Sequence, residues 1–284
     1  MAVEIYTALA ATGAALAAVA ATSQRISTTR LKIKRECAYF DWLPDHLNGL
    51  KILHISDLHG NNPDKMNLDI WSYLEGLEFH MAVITGDMIV SYLEQSLPHM
   101  KSIAALAKRI PVFYVQGNHE LDCFYEMRRL MEMSGVTVFD NDKQIWNIRP
   151  FGPISIVGLR DFTELEDMGF KGVDHLLEKS SGSFNLVLSH QPQIVYRMER
   201  LKLGLILSGH THGGQVRIPP LPTIYAPGQG LFPKLGDGWI DLGDNKLYIS
   251  RGIGTTVFPL RIFNMAEVAI IELAKGASNI MRLS

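Results

Sequence analysis

Short apolar runs and longer amphipathic stretches follow one another through the first half of the chain. Runs of strand length lie at residues 50–56, 81–85 and 112–116. Stretches with helical spacing lie between and after them, at residues 64–77, 97–109 and 121–134. Because strands that alternate with helices form parallel sheets with helical crossovers, this pattern predicts an α/β architecture.

The second half of the chain is richer in strand-like runs. They lie at residues 136–139, 154–159, 184–189, 203–208, 247–250 and 268–273, with short helical stretches at 173–179 and 194–200. Residues 213–244 contain many glycines and prolines with scattered aromatic residues, which predicts a long loop or short hairpins. We therefore expect a second sheet that packs on the first.

The N-terminal stretch differs from the rest in composition. Residues 3–22 are rich in alanine and contain one charged side chain, Glu4. As a helix rising ~1.5 Å per residue, the stretch is about 30 Å long, roughly the thickness of a bilayer core. The basic residues that follow it are Arg25, Arg30, Lys32, Lys34 and Arg35. The positive-inside rule then places the rest of the chain in the cytoplasm.

These features favour a membrane anchor or signal-like helix in residues 1–24, followed by one domain over residues 25–284. Two alternatives stay open. The stretch is either the leader of an exported, cell-envelope protein, with Ala18-Val19-Ala20 as its small-residue cleavage site, or a helix on the surface of a soluble protein.

Overall composition narrows the class of partner. The chain has 284 residues, of which 47% are hydrophobic, and its formal net charge is −2. The chain thus lacks the excess of basic residues that binding to a phosphate backbone requires, so we expect no nucleic-acid partner. Cys37 and Cys123 form neither a disulfide framework nor a paired metal-ligand spacing.

Five polar clusters come directly after strand-like runs. They are Asp57-Leu58-His59, Gly86-Asp87, Gly117-Asn118-His119-Glu120, Ser189-His190-Gln191-Pro192 and Gly209-His210-Thr211-His212-Gly213-Gly214-Gln215. Ligands collect at the carboxyl ends of strands in such sheets, and these clusters contain enough Asp, Asn and His side chains for two metal ions. Imidazole and carboxylate ligands without a thiolate cluster suit Mn²⁺, Fe, Zn²⁺, Ni²⁺ or Co²⁺.

The five clusters, in this order, resemble the motifs of the calcineurin-like metallophosphoesterase superfamily. The resemblance covers residues from about 50 to 215. It implies a four-layer αββα sandwich of two mixed β-sheets and a metal-dependent phosphoric ester hydrolase. The motif GHTHGGQ resembles that of one branch of the superfamily. This branch includes membrane-associated phosphodiesterases and enzymes that cleave the pyrophosphate of UDP-linked diacylglucosamine.

The resemblance also implies roles for individual residues. One metal ion is expected to be bound by Asp57, His59 and His212, and the other by Asn118, His190 and His210. Asp87 is expected to bridge the two ions, because a carboxylate can bind two cations through one oxygen and a neutral imidazole cannot. Manganese is the preferred choice for both ions, although the sequence does not select among the metals.

Three further residues are expected near the reaction. His119 resembles the family histidine that stands over the leaving group and acts as a general acid. Glu120 is expected either to orient a histidine or to serve as an acid at a helix N-terminus. Arg251 is expected either to grip a phosphate oxygen or to lie in a surface turn. The family often has an acid three residues after the bridging aspartate, where this chain has Val90.

We therefore expect a membrane-associated phosphodiesterase or pyrophosphatase in which a metal-bridging hydroxide attacks phosphorus directly. The preferred substrate is a lipid or a cell-envelope precursor. A protein phosphatase and a soluble nucleotide phosphodiesterase are alternatives in the same class. A non-catalytic scaffold is a remote alternative, since such a protein is expected to lose the histidine over the leaving group. The sequence gives no signal for an oligomeric state.

Overall fold

Two six-stranded mixed sheets form the centre of the computed structural model, which describes residues 2–60, 70–255 and 260–276. The first sheet has the order β1 (Leu31–Phe40), β14 (Ala266–Lys275), β2 (Lys51–Ile55), β3 (Met81–Thr85), β4 (Val112–Val115) and β5 (Thr137–Val138). Strand β14 is antiparallel to β2 and parallel to β1, and β2 to β5 are parallel to one another.

The second sheet is parallel at its centre and antiparallel at both edges. Its order is β12 (Gly238–Leu242), β13 (Asn245–Ile249), β9 (Gly204–Ser208), β8 (Asn185–Leu188), β7 (Gly152–Gly158) and β6 (Asp142–Ile148). The outer pairs β12–β13 and β6–β7 are antiparallel hairpins. A separate short hairpin joins β10 (Tyr225–Ala226) to β11 (Gly230–Leu231).

Helices connect and cover the strands. The α-helices are α1 (Ala2–Thr29), α2 (Ile70–Leu74), α3 (Leu97–Ala107), α4 (Phe124–Met133), α5 (Phe162–Asp167) and α6 (Lys171–Ser180). Single 3₁₀ turns lie at Asp45–Leu47, Leu93–Ser96, Asn118–Cys123, Pro192–Arg197 and His212–Gly214.

Apolar side chains divide into three buried clusters that define the layers. In the middle cluster, Phe113 of the first sheet and Leu205 of the second lie between the two sheets. One outer cluster joins the first sheet to α3 and α4, and the other joins the second sheet to α6 through residues such as Leu177. Since each sheet buries both faces, the layers are helix, sheet, sheet and helix. The four-layer αββα sandwich is therefore confirmed.

Some predicted elements differ from the structure at the sheet edges and in the loops. Strands β1 and β6 were not predicted, because their sequences mix charged and apolar residues and each lies at the edge of a sheet. The predicted helix at 194–200 is instead the 3₁₀ turn Pro192–Arg197. The stretch 213–244 contains the predicted hairpin structure. Of the predicted helix at 64–77, residues 64–69 lie outside the described residues.

Helix α1 is longer than the predicted N-terminal stretch and continues without a break past residue 24 to Thr29. Leu9, Leu16 and Val19 are between 52% and 66% exposed along it. Over the described residues, we find no helix that is both long and apolar enough to cross a membrane. The membrane anchor or signal-like helix expected in residues 1–24 stays a prediction.

Candidate metal centre

All seven predicted metal ligands meet where strands of both sheets end. From the first sheet come Asp57 after β2, Asp87 after β3 and Asn118 after β4. From the second sheet come His190 after β8 and His210 after β9. The remaining two, His59 and His212, follow within two residues of Asp57 and His210. The sandwich thus brings together residues that are up to 155 positions apart in sequence, the separation of Asp57 from His212 (212 − 57).

The backbone at these ligands adopts a conformation that side chains rarely take. Positive φ angles occur at Asp57 (53°), His59 (48°), Asp87 (53°), His210 (71°) and His212 (50°). For a residue other than glycine, such a conformation costs on the order of 1–3 kcal/mol and persists only where the surroundings enforce it. Five of the seven predicted ligands thus have a backbone conformation that their surroundings must enforce.

The first cluster contains Asp57, His59, Asp87 and His212. Their ligand atoms lie within 4.8 Å of one another, and all four side chains are buried. The Nε2 atoms of His59 and His212 are 3.0 Å apart, and His212 Nε2 is 3.4 Å from Asp57 Oδ1. Ring nitrogens and a carboxylate oxygen thus point at one shared position.

The second cluster contains Asp87, His190 and His210, whose ligand atoms also lie within 4.8 Å of one another. The amide oxygen of Asn118 joins them, at 2.8 Å from His210 Nδ1 and 3.2 Å from His190 Nε2. This set offers two imidazoles, one carboxylate and one neutral amide oxygen around a single position.

Asp87 belongs to both clusters. Its Oδ2 atom is 3.5 Å from His59 Nε2 in the first cluster and 3.1 Å from His190 Nε2 in the second. Its Oδ1 atom accepts a hydrogen bond from the backbone amide of His119 at 3.0 Å. A Cβ atom at Gly117 would lie 2.2 Å from this oxygen, so only glycine leaves room for the carboxylate.

Backbone carbonyls at the end of β3 and in the loop that follows it orient three of the histidine rings. The Nδ1 atom of His59 is 2.9 Å from the carbonyl oxygen of Ile89, and that of His190 is 2.6 Å from the carbonyl oxygen of Thr85. His119 makes the same contact with the carbonyl oxygen of Val90 at 2.6 Å. Because a carbonyl only accepts, each Nδ1 carries the proton and each Nε2 faces the centre.

Burial and the close packing of charges shift the acid–base properties of the cluster. Burial lowers the pKa of His59 to about 4 and that of His210 to about 3. Burial opposes charge on His190 as well, yet the Asp87 carboxylate raises the pKa of His190 to about 10. In turn, burial alone would raise the pKa of Asp87, but the charge and hydrogen bond of His190 hold it well below its usual range.

Glu120 lies in the first turn of the 3₁₀ segment Asn118–Cys123, as the alternative of an acid at a helix N-terminus predicts, and Arg251 lies in an ion pair. The buried Glu120 carboxylate accepts hydrogen bonds from the backbone amides of Asp87, Gly117 and Ile89 at 2.9, 2.9 and 3.2 Å. It thereby supports the strand-end loops that present the ligands. The Arg251 guanidinium is paired with Asp237, with Nε and Nη2 at 2.8 and 2.7 Å from Asp237 Oδ2.

Two residues behind the site were not expected from the sequence. Arg261 is completely buried, and its Nη2 atom is 3.4 Å from His212 Nδ1. Asn264 donates from Nδ2 to the carbonyl oxygen of His212 at 2.6 Å. Neither residue belongs to a motif, and both contacts join positions about fifty residues apart, so no local signal in the sequence announces them.

The donor set fits divalent cations. Imidazole nitrogens, carboxylate oxygens and an amide oxygen are the ligands that borderline and hard divalent ions prefer. The ring nitrogens lie 3.0 to 3.5 Å from a carboxylate oxygen or from another ring nitrogen. This is the spacing expected of ligand atoms that share an ion. The arrangement is thus suited to bind divalent metal ions beside a phosphoester.

Comparison with known proteins agrees with this geometry. The calcineurin-like phosphoesterase family matches residues 50–214, more than half of the chain. An uncharacterized metallophosphoesterase of Bacillus subtilis, YkuE, is 27% identical over 87% of this chain and 85% of its own length. A second from the same species, YkoQ, is 25% identical over 79% of this chain and 83% of its own length.

The phosphodiesterase YaeI of Escherichia coli is 26% identical over 85% of this chain and 87% of its own length. Together with the family match and the buried Asp/His clusters, these relatives identify a metal-dependent phosphoester hydrolase. The chain belongs to the calcineurin-like phosphoesterase family.

Proposed function

We propose that the protein hydrolyses a phosphodiester or pyrophosphate at two divalent metal ions bound by the seven predicted ligands. The position of Asp87 Oδ2, 3.5 Å from His59 Nε2 and 3.1 Å from His190 Nε2, carries the proposal. One carboxylate oxygen between two sets of ring nitrogens is the arrangement that a pair of ions requires. The relative YaeI is named a phosphodiesterase, which supports a phosphodiester as the bond that is hydrolysed.

The two ions, for which manganese is the preferred choice, would activate water and neutralise the phosphoryl oxygens. In this proposal Asp57, His59 and His212 hold one ion, and Asn118, His190 and His210 hold the other. The buried setting contributes as well, because electrostatic interactions are stronger where water is excluded. The carbonyl oxygens of Ile89 and Thr85 would keep the Nε2 atoms of His59 and His190 turned toward the ions.

His119 is proposed as the general acid. Its side chain is 21% exposed, unlike the fully buried ring of His59, and its Nε2 atom is 3.9 Å from Asp87 Oδ2. The contact between Nδ1 and the Val90 carbonyl oxygen fixes the ring with Nε2 on the side of the metal centre. A proton on Nε2 is therefore placed to reach the oxygen that leaves phosphorus, which needs it most when that oxygen is an alkoxide.

A lipid-linked substrate is proposed from the surface beside the centre. Residues 218–233 contain no charged side chain, and Tyr225, Leu231 and Phe232 of this stretch are 53%, 69% and 68% exposed. Tyr225 and His212 line the same cavity of about 380 Å³. An uncharged, apolar approach to the metal centre suits a substrate with acyl chains better than a nucleotide or a phosphoprotein.

We further propose that the protein works at the cytoplasmic face of a membrane. Arg25 and Arg30 are exposed at the end of α1, and Lys32 is exposed at the start of β1. Exposed cations next to the apolar residues of α1 suit a surface of anionic lipids. Cell fractionation of the full-length protein tests this proposal, and recovery of all of it in the soluble fraction would overturn it.

The function is tested with purified protein that is first stripped of metal and then loaded with Mn²⁺. Three substrates distinguish the candidates: bis(p-nitrophenyl) phosphate, a bacterial lipid extract followed by mass spectrometry, and cyclic and linear nucleotides. We expect hydrolysis of the simple diester and loss of one phosphate-containing lipid species. Higher turnover of nucleotides than of any lipid would overturn the substrate class, and no hydrolysis at all would overturn the function.

A further inference from the structure

Helix α1 is hydrogen-bonded to residues 261–264 through its polar side chains. Ser23 Oγ accepts from the backbone amide of Phe263 at 2.6 Å, and Ser27 Oγ accepts from the amide of Asn264 at 3.3 Å. Gln24 Oε1 accepts from the amide of Arg261. Ser23 and Ser27 are four residues apart and lie on one face of the helix, where they are 9% and 1% exposed. The mostly exposed helix thus turns a buried polar stripe toward this segment.

Residues 261–264 also contact His212 on the side away from the metal centre. Asn264 Nδ2 donates to the carbonyl oxygens of His212 and Gln215 at 2.6 and 3.3 Å. Arg261 Nη2 lies 3.4 Å from His212 Nδ1, and the guanidinium is fixed by the carbonyl oxygens of Arg251 and Gly254 at 2.7 and 2.9 Å. Residues 261–264 therefore lie between α1 on one side and a predicted metal ligand on the other.

The turn that carries His212 needs such support. Positive φ angles follow closely at His212 (50°), Gly213 (57°), Gly214 (80°) and Gln215 (54°). His212 and Gln215 are not glycines, so this backbone persists only if neighbouring groups hold it. Asn264 supplies that constraint at both residues, and the amide of Ile262 adds a hydrogen bond to the carbonyl oxygen of Gln215 at 3.1 Å.

We propose that Asn264 is a positioning residue for His212, and that Ser23, Gln24 and Ser27 of α1 hold its segment, residues 261–264, in place. Helix α1 is then part of the support of one metal ion, that of Asp57, His59 and His212. This inference rests on the proposed role of His212 as a ligand. The other ion, that of Asn118, His190 and His210, should not depend on α1.

The test compares two double variants of the full-length protein. Ser23→Ala/Ser27→Ala removes both hydroxyls that accept from the segment. Thr28→Ala/Thr29→Ala is the matched control, because these hydroxyls donate to carbonyl oxygens of α1 itself. Binding of Mn²⁺ is measured by calorimetry, and the coordination of each site is followed by the absorption spectrum of Co²⁺.

We expect the serine variant to bind one of the two ions about 10- to 100-fold more weakly, the usual effect of losing support behind a ligand. The other ion keeps its affinity, and excess Mn²⁺ restores activity. Ser23→Thr/Ser27→Thr, which keeps both hydroxyls, should restore the affinity. Ion affinities and Co²⁺ spectra equal to those of the threonine control would overturn the proposal.

Asn264→Asp gives an independent measurement if the serine variant does not fold. It keeps the size of the side chain and removes the Nδ2 donor, so the same single ion should bind more weakly. Equal weakening of both ions, or of neither, would overturn the proposal. A wild-type protein that binds two ions and hydrolyses no phosphoester would refute the proposed function while leaving this inference intact.

Discussion

The metal centre and helix α1 depart from the usual distribution of polar and apolar side chains in opposite directions. At the centre, Asp57 and His190 are completely buried, whereas Leu9 and Leu16 of α1 are 64% and 66% exposed. Buried charges are rare unless they are paired or bind a metal. At the centre the pairing is visible within the protein, and its donor set indicates divalent ions. Along the described part of α1, polar side chains such as Ser27 make hydrogen bonds to the rest of the protein.

The comparison teaches that the buried centre and the exposed helix are connected by hydrogen bonds to polar side chains of α1. The exposed helix contributes little core, yet its serines reach the segment behind His212. The following predictions separate the regions, beginning with changes at the centre and ending at the exposed apolar surface.

The largest effect is expected from Asp87→Asn. The amide cannot bridge two cations, so both ions should bind more weakly together. Because metal ions supply several kcal/mol of charge stabilisation, kcat/KM should fall by about 10³-fold or more. Mass spectrometry measures the metal content, and the kinetics of diester hydrolysis measure kcat/KM. Asp244→Asn, an exposed aspartate paired with Lys202 at 3.1 Å, is the control and should change neither. Retention of two ions and full activity would contradict the bridging role.

A smaller loss is expected from His119→Ala, with both ions retained. A general acid contributes roughly 10²–10⁴-fold, so kcat should fall within that range for substrates with an alkoxide leaving group. For p-nitrophenolate, which leaves without a proton, the loss should be much smaller. Rates for the two kinds of diester provide the measurement, with the exposed His175→Ala as control. An equal loss for both leaving groups would argue against proton transfer by His119.

The two ions should differ in their pH dependence. Since the pKa of His190 is raised to about 10, this ring is protonated at neutral pH and an ion must displace the proton. Affinity for the ion at His190 should therefore rise with pH, by up to about tenfold per unit between about pH 7 and 9. The pKa of His59 is lowered to about 4, so its ring is already neutral and binds without releasing a proton. Calorimetry in buffers of different ionisation enthalpy counts the protons, and the absence of proton release would contradict this prediction.

The smallest effect is expected at the exposed apolar surface. Leu231→Ser/Phe232→Ser should raise KM for a lipid-linked substrate severalfold, because burying such side chains contributes about 1.5–3 kcal/mol each when complete and less when partial. Hydrolysis of bis(p-nitrophenyl) phosphate should not change. The exposed Met133→Ser, on the far end of α4, is a control for the loss of apolar surface. An equal effect on both substrates would place these residues outside lipid recognition.

Most of the sheet framework and the grouping of the ligands could be predicted, because both depend on local pattern. Asp57 and Asp87 directly follow uniformly apolar strands, and the end of such a strand is visible in the sequence. The edge strand β1 was missed because its outward residues are charged and hide the alternation. The buried Arg261 was missed because its partners come from distant segments and an isolated arginine normally indicates a surface.

The main-chain contacts of the histidines bear on how tolerant the site is to change. His59, His190 and His119 are oriented by carbonyl oxygens of Ile89, Thr85 and Val90. A carbonyl oxygen is present whatever side chain the residue carries, so no single substitution deletes these acceptors. Val90 illustrates this, since an apolar residue stands where the family often has an acid, yet its carbonyl oxygen accepts the hydrogen bond from His119 Nδ1. The orientation of these three rings thus depends on the path of the backbone at residues 85, 89 and 90 rather than on the side chains there.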